Sequence, residues 1–112
     1  MKKRKEKEEL FFEGIQENIF GSEYSTAFGR PCLNIQGKPF CILDDDVLVC
    51  KLSPFRARHI LNIDRSGYFD PDGDGNFHRE WIAIPFRYFH SIWYYMARDA
   101  AIHVGGNDNL YF

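Results

Sequence analysis

Short apolar runs alternate with turn signals through the middle of the chain, over residues 28–52. The runs are separated by Gln36-Gly37 and by three consecutive aspartates at 44–46. Short β-prone runs broken by Gly and Asp are typical of an antiparallel meander. The pattern therefore predicts three antiparallel strands, over residues 32–35, 40–43 and 47–52.

Near the N-terminus, apolar residues recur at helical spacing. Phe11, Ile15 and Ile19 follow one another every four residues, and Gly21 is a stop signal. This stripe predicts a first helix that buries one face. The short polar segment 22–27 is predicted to be a linker into the meander.

Two further helices are predicted after the meander. Ser53-Pro54 combines a helix N-cap with proline at the first helical position, and it predicts a short second helix. Pro85 is predicted to open the last helix, which runs to about residue 104. Its predicted core face has helical spacing and comprises Phe89, Ile92, Trp93, Met96, Ala97, Ala100 and Val104.

A fourth strand, predicted over residues 80–84, completes the order α-β-β-β-α-β-α. Antiparallel strands with helices gathered on one face predict an α+β two-layer sandwich. The chain has 112 residues, which predicts one domain, assigned to residues 1–104. Residues 105–112 resemble a protease-site linker of expression vectors, and either a vector origin or a native end fits them.

Charge and hydropathy limit the classes of partner. The formal net charge is −2, so the whole chain has no electrostatic attraction to nucleic acid or anionic membranes. No apolar run is long enough to span a membrane, and the charged N-terminus lacks the apolar region of a signal peptide. These features predict a soluble cytoplasmic protein without a membrane partner.

Three cysteines are spaced nine residues apart, at Cys32, Cys41 and Cys50. With two-residue turns between the strands, they would form one row across the sheet. A soft-metal site or a cross-strand disulfide is one interpretation of such a row. Buried thiols are the favoured one, because a zinc site usually needs four ligands with a close pair.

The string from Asp70 to Gly75 resembles the start of a calcium loop, with carboxylates at Asp70, Asp72 and Asp74. The bidentate glutamate of such a loop is missing, because Trp81 stands at its position. A solvated Asp/Gly turn is therefore the favoured interpretation, with calcium as the alternative. No metal or other cofactor is predicted.

The last helix and the segment before it mix aromatic and basic residues. Arg87, Tyr88, Tyr94, Tyr95 and Arg98 are the predicted interaction surface. Such residues are enriched at protein interfaces, and a protein partner, including a second copy, is favoured. Stacking on nucleic-acid bases is the alternative, although the chain lacks net positive charge.

Motifs for catalysis are absent from the sequence. It has no phosphate-binding loop, no dinucleotide glycine fingerprint and no nucleophile elbow. The prediction is a non-enzymatic interaction or regulatory module. A small-molecule or metal site near the cysteines or the Asp-rich loop is a third hypothesis.

Several strings, in order and spacing, resemble the superfamily of the TfoX N-terminal domain and the YjbR/MmcQ-like proteins. They cover about residues 10–104 and comprise Phe28-Gly29-Arg30-Pro31, Gly37-Lys38-Pro39-Phe40, Leu48-Val49-Cys50-Lys51-Leu52-Ser53-Pro54, Phe69-Asp70-Pro71, Gly75 and Glu80-Trp81-Ile82. The resemblance implies a small α+β domain without established catalysis, associated with regulation and, for some members, with DNA binding. It also places the Asp-rich loop at a Gly-containing connection of the relatives, which favours the turn over calcium.

Overall fold

Six antiparallel strands form one open sheet in the computed structural model, which describes residues 6–87 and 89–106. The strands lie in the order β1-β2-β3-β4-β6-β5. Along the chain the elements are α1 (Lys7–Asn18), β1 (Ser22–Ala27), β2 (Arg30–Ile35), β3 (Lys38–Asp44), β4 (Val47–Lys51), α2 (Pro54–Leu61), β5 (Gly67–Phe69), β6 (His78–Pro85) and α3 (His90–Gly105). The predicted α+β class is confirmed, and two strands are added to the predicted order.

The segment predicted to be a linker, residues 22–27, is the edge strand β1. It pairs with β2 on one side only, and of its six residues only Ser22 is buried. An edge strand that buries so little needs no apolar alternation, so periodicity did not detect it. Phe28 and Gly29 form the hairpin turn, and both have positive φ, of 54° and 72°.

The opposite edge strand, β5, was also missed. It is three residues long, Gly67–Phe69, and pairs with β6. Three residues are too few to show a period of two. Both edge strands of the sheet, β1 and β5, therefore lack a hydrophobic pattern of their own.

The last helix starts later than predicted. Pro85 is the final residue of β6, opposite Val47, and α3 begins at His90. The Phe86 amide donates to the Asp46 carbonyl at 2.8 Å, so the chain stays attached to the sheet beyond the proline. The Trp93 indole donates to the Pro85 carbonyl at 3.3 Å and ties the helix to the strand end. Proline is tolerated there because a strand end requires no further amide donor.

The second helix matches its prediction. Ser53 is the N-cap, and its hydroxyl accepts the Arg56 amide at 3.3 Å. Pro54 occupies the first turn, where its missing N–H leaves no hydrogen bond unmade. Four of the seven residues predicted for the core face of α3 are buried, namely Trp93, Met96, Ala97 and Ala100. The other three, Phe89, Ile92 and Val104, are partly buried against the same core, and Phe89 is the residue before the helix.

A β-bulge in β3 changes the register of the meander. Leu33 lies opposite Cys41, whereas Asn34 lies opposite Pro39, so Phe40 is one extra residue on β3. A bulge of this kind leaves two residues of one strand facing one residue of its neighbour. The side chains of Phe40 and Cys41 both enter the main core as a result.

The predicted row of three cysteines is wrong because of this bulge. Cys41 does lie opposite Cys50, as predicted. Cys32, however, pairs with Ile42 and lies on the other face of the sheet. The bulge sits within the strand, so the two-residue turns could form as predicted while the row was still broken.

The two faces of the sheet bury separate clusters. The main core lies between the sheet and the helices, with Trp93, Met96 and Phe40 among its largest fully buried side chains. A smaller cluster on the other face comprises Cys32, Ile42, Val49, Phe69 and Trp81. No helix in the described part of the chain has the length and hydropathy needed to cross a membrane.

Candidate interaction surface

A groove of about 550 Å³ lies between α1 and α3. Its walls are mainly apolar and are formed by Leu10, Phe11, Gly14, Ile15, Asn18 and Tyr94. Phe11 anchors the groove, because its ring packs edge-on against Phe86 at 5.7 Å and against Trp93 at 6.0 Å between centroids. Leu10, one residue earlier, stays 56 % exposed at the rim.

Gly14 lies in the middle of α1 and faces open space. A Cβ atom added to it would meet no heavy atom of the described residues within 4 Å, apart from its chain neighbours and the adjacent backbone of α1. Glycine inside a helix costs about 1 kcal/mol relative to alanine. Among the described residues, no contact requires this residue to be small. A small residue at an open helix surface does allow another backbone or side chain to approach closely.

One stripe along α1 carries opposite charges at its two ends and an apolar residue and a glycine between them. Lys7, Leu10, Gly14 and Glu17 follow one another at spacings of three, four and three residues. Residues at these spacings lie on the same face of a helix. The stripe thus presents a cation, an exposed apolar side chain, a gap and an anion in sequence.

The aromatic part of the predicted surface borders the same groove. The Tyr94 hydroxyl donates to the Asn18 carbonyl at 3.5 Å, and its ring is 5.5 Å from that of Tyr95. Tyr95 is 59 % exposed, and the Arg98 guanidinium lies 5.8 Å from its ring centroid. The structure therefore brings three of the five predicted residues together.

Of the other two predicted residues, the structure places only Arg87, and it lies outside this contact. Arg87 is exposed in the segment between β6 and α3. Tyr88 lies outside the described residues. Leu10 and Gly14 were not predicted as part of this surface, although a glycine inside an apolar helix is a signal that could have identified them.

The Asp-rich loop uses its carboxylates to hold its own backbone. Asp70 accepts the Gly75 amide at 3.0 Å, and Asp74 accepts the Asn76 amide at 3.0 Å. Asp70 Oδ1 is inaccessible to solvent and has no hydrogen-bond partner among the described residues. Asp72 is exposed. The Asp74–Asn76 contact is that of an Asx turn, whereas the Asp70 hydrogen bond spans five residues and closes the loop.

All three thiols are fully buried, as predicted. The Cys50 thiol donates to the Cys41 sulfur at 3.7 Å. Burial, then the neighbouring Cys41 and then Asp99 raise the pKa of Cys50 well above its ordinary value. Burial also raises the pKa of Cys32, partly offset by a hydrogen bond from Ser25. Thiols held neutral in this way are poor nucleophiles and poor metal ligands.

Across the described residues, no group of three or more His, Cys, Asp and Glu side chains is arranged to hold a metal ion. Comparisons of the chain with protein-family models, with curated proteins and with solved structures found no match. The resemblance to the TfoX and YjbR-like proteins therefore stays a prediction from the quoted motifs.

Proposed function

We propose that this domain is a non-enzymatic interaction module that self-associates through α1, with two copies packing α1 against α1 in antiparallel orientation. The observation that carries the proposal is the pairing of exposed Leu10 with the open gap at Gly14, one turn apart on the same face. A projecting side chain and a matching gap on one surface are what a self-complementary interface requires.

Two-fold symmetry makes this match reciprocal. In a symmetric dimer, residue i of one copy contacts residue j of the other, and j contacts i. In an antiparallel α1 pair whose two-fold axis passes at the height of residue 12, Leu10 of each copy lies against Gly14 of the other. In such a dimer, the groove beside Gly14 of each copy receives Leu10 of the other copy.

Charge supports the same register. The arrangement that pairs Leu10 with Gly14 also pairs Lys7 of one copy with Glu17 of the other, because each pair is symmetric about residue 12. Both side chains are exposed. Exposed opposite charges contribute little affinity, but they select the antiparallel orientation over the parallel one, which would place like charges together.

The expected affinity is modest. Burying an exposed leucine contributes about 1–2 kcal/mol, and the symmetric interface does so twice. This gain is set against the lost freedom of two molecules, so a small interface gives a weak, concentration-dependent dimer. Helix packing in a groove, not catalysis, is the chemistry that this surface supports.

Sedimentation of the full chain over a concentration series tests the proposal. The wild type is expected to shift from monomer towards dimer as concentration rises. Gly14→Arg is expected to stay monomeric, because its side chain fills the gap and adds a like charge at the axis. Arginine is a better helix former than glycine, so this variant should keep its fold. Phe55→Arg is the matched control, since Phe55 is 59 % exposed on α2, and it should dimerise like the wild type.

Exchange of the charges tests the register. Lys7→Glu and Glu17→Lys should each weaken the dimer, and the double variant should restore it. A wild type that stays monomeric at all concentrations would overturn the proposal. So would a dimer that Gly14→Arg leaves unchanged, because that dimer would use another surface.

Nucleic-acid binding has less support from the described residues. The net charge is −2, so the whole chain has no electrostatic attraction to the phosphate backbone. Phosphate-driven binding is strongest at low salt, so a mobility-shift assay there discriminates between the two functions. We expect no shifted band.

A further inference from the structure

A second cleft, of about 430 Å³, lies between α2, the β5–β6 edge and the end of α3. It shares no lining residue with the groove beside α1. Leu52, Ala57 and Leu61 line it with apolar surface. Its volume is within the range of small-molecule sites.

Cationic side chains from separate elements converge on this cleft. Arg58 comes from α2 and Arg79 from β6, and His103 from the last turn of α3 adds an imidazole. Within the described part of the chain, none of these three forms an ion pair with a carboxylate. Two arginines that line one cleft without ion pairs of their own favour a local positive potential, although the net charge of the protein is −2.

One carboxylate that lines the cleft already has a cationic partner. Glu80 lines the cleft, and one of its oxygens lies 3.7 Å from the Lys51 amine. That pair offsets the negative charge of Glu80. The cleft therefore keeps the two positive charges of its arginines.

The guanidinium of Arg79 is held in place by an aromatic ring before any ligand binds. Its guanidinium carbon lies 5.6 Å from the ring centroid of Tyr68, which also lines the cleft. Stacking on an aromatic ring orients a guanidinium group and leaves its N–H donors free for hydrogen bonding. Planar guanidinium groups bind carboxylate and phosphate oxygens in pairs.

We infer that this cleft binds a small organic anion, a carboxylate or phosphate carrying an apolar body. The arginines hold the charged head, and the apolar lining with Tyr68 holds the body. This site lies apart from the proposed dimer surface, so either proposal can fail without the other.

Titration of the isotope-labelled full chain, followed by amide chemical shifts in NMR spectra, tests the inference. Phenyl phosphate and benzoate are the ligands. The matched controls are inorganic phosphate, which lacks the aromatic ring, and phenol, which lacks the anionic group. At least one aromatic anion is expected to bind more tightly than both half-compounds and to shift amides around the cleft. Whichever aromatic anion binds more tightly identifies the preferred head group.

Variants locate the binding. Arg58→Gln and Arg79→Gln should each weaken it by about 10-fold or more, the size of one lost charge-assisted hydrogen bond. Arg65→Gln is the control, because Arg65 is exposed, lies outside the cleft and pairs with Asp64 at 3.9 Å. Absence of cleft shifts with both aromatic anions would overturn the inference. Equal binding of phenol, or an equal loss in the Arg65 variant, would do the same.

Discussion

Arg30 Nε donates to Asp44 Oδ1 at 2.8 Å and links β2 to β3 on the face of the sheet that has no helices. The other two nitrogens of its guanidinium donate to the carbonyls of Phe28 at 2.8 Å and Pro71 at 2.9 Å. The group also lies 5.4 Å from the Phe69 ring centroid. One side chain therefore connects the first hairpin turn, the end of β3 and the Asp-rich loop.

We expect Arg30→Lys to lower the free energy of unfolding by about 1–2 kcal/mol. Lysine keeps the charge but cannot make three hydrogen bonds in a fixed fork, so carbonyls lose their donors. The salt bridge itself adds little, because both partners are about a third exposed. Urea unfolding measures the change.

Arg65→Lys is the control for this prediction. Its pair with Asp64 spans 3.9 Å at the surface, and the change should leave stability within error. Equal effects of the two substitutions would show that the fork of Arg30 has no special role.

Burial should protect the thiols from modification. Cys32, Cys41 and Cys50 are fully buried, and the pKa values of Cys32 and Cys50 are raised, so their thiolates do not form near neutral pH. We expect a disulfide reagent to label no cysteine of the native protein and all three in urea. Absorbance of the released thiol measures this reaction.

An exposed cysteine provides the positive control for labelling. Thr26→Cys places a thiol on the exposed edge strand β1, and it should react at once in the native state. Rapid labelling of the wild type at the same rate would show that the buried sulfurs are accessible.

Alkaline pH should destabilise the protein through Cys50. Its pKa is raised above the ordinary 9.0, first by burial and then by Cys41, so the folded state holds a proton that the unfolded state releases. The resulting stability is complete below about pH 9 and is lost as pH rises towards the folded pKa. The loss approaches about 1.4 kcal/mol per pH unit in that window.

Comparison with Cys50→Ala isolates this contribution. Other groups titrate in the same range, but they are common to both proteins. With reductant present, unfolding free energies should fall more steeply with pH in the wild type than in the variant. Parallel slopes would mean that Cys50 does not carry the effect.

Local patterns were enough to predict most elements of the fold. The apolar alternation of the meander, the stripe around Ile15 and the Ser53-Pro54 cap each depend on neighbours a few residues away. Such signals act through the geometry of one strand or one helix, so the α+β class followed from them. The edge strands β1 and β5 were not predicted, because their pairing is stabilised by the neighbouring strand and not by their own apolar residues.

The positions of the cysteines show the limit of this reasoning. Their spacing of nine predicts one row, but one extra residue at Phe40 moves Cys32 to the other face. A bulge is stabilised by packing on both sides of the sheet, which a one-dimensional pattern does not contain.

The sequence by itself determined the three helices, the four inner strands of the sheet and the burial of the cysteines, because each of these depends on a local apolar pattern. Only the tertiary structure decided which residues share a surface. Leu10 and Gly14 become a projection and a gap because α3 leaves a groove beside α1. Arg58 and Arg79 are 21 positions apart in the sequence and meet at one cleft because α2 packs beside β6. Contacts between distant residues depend on how elements pack, and that packing is a property of the whole core.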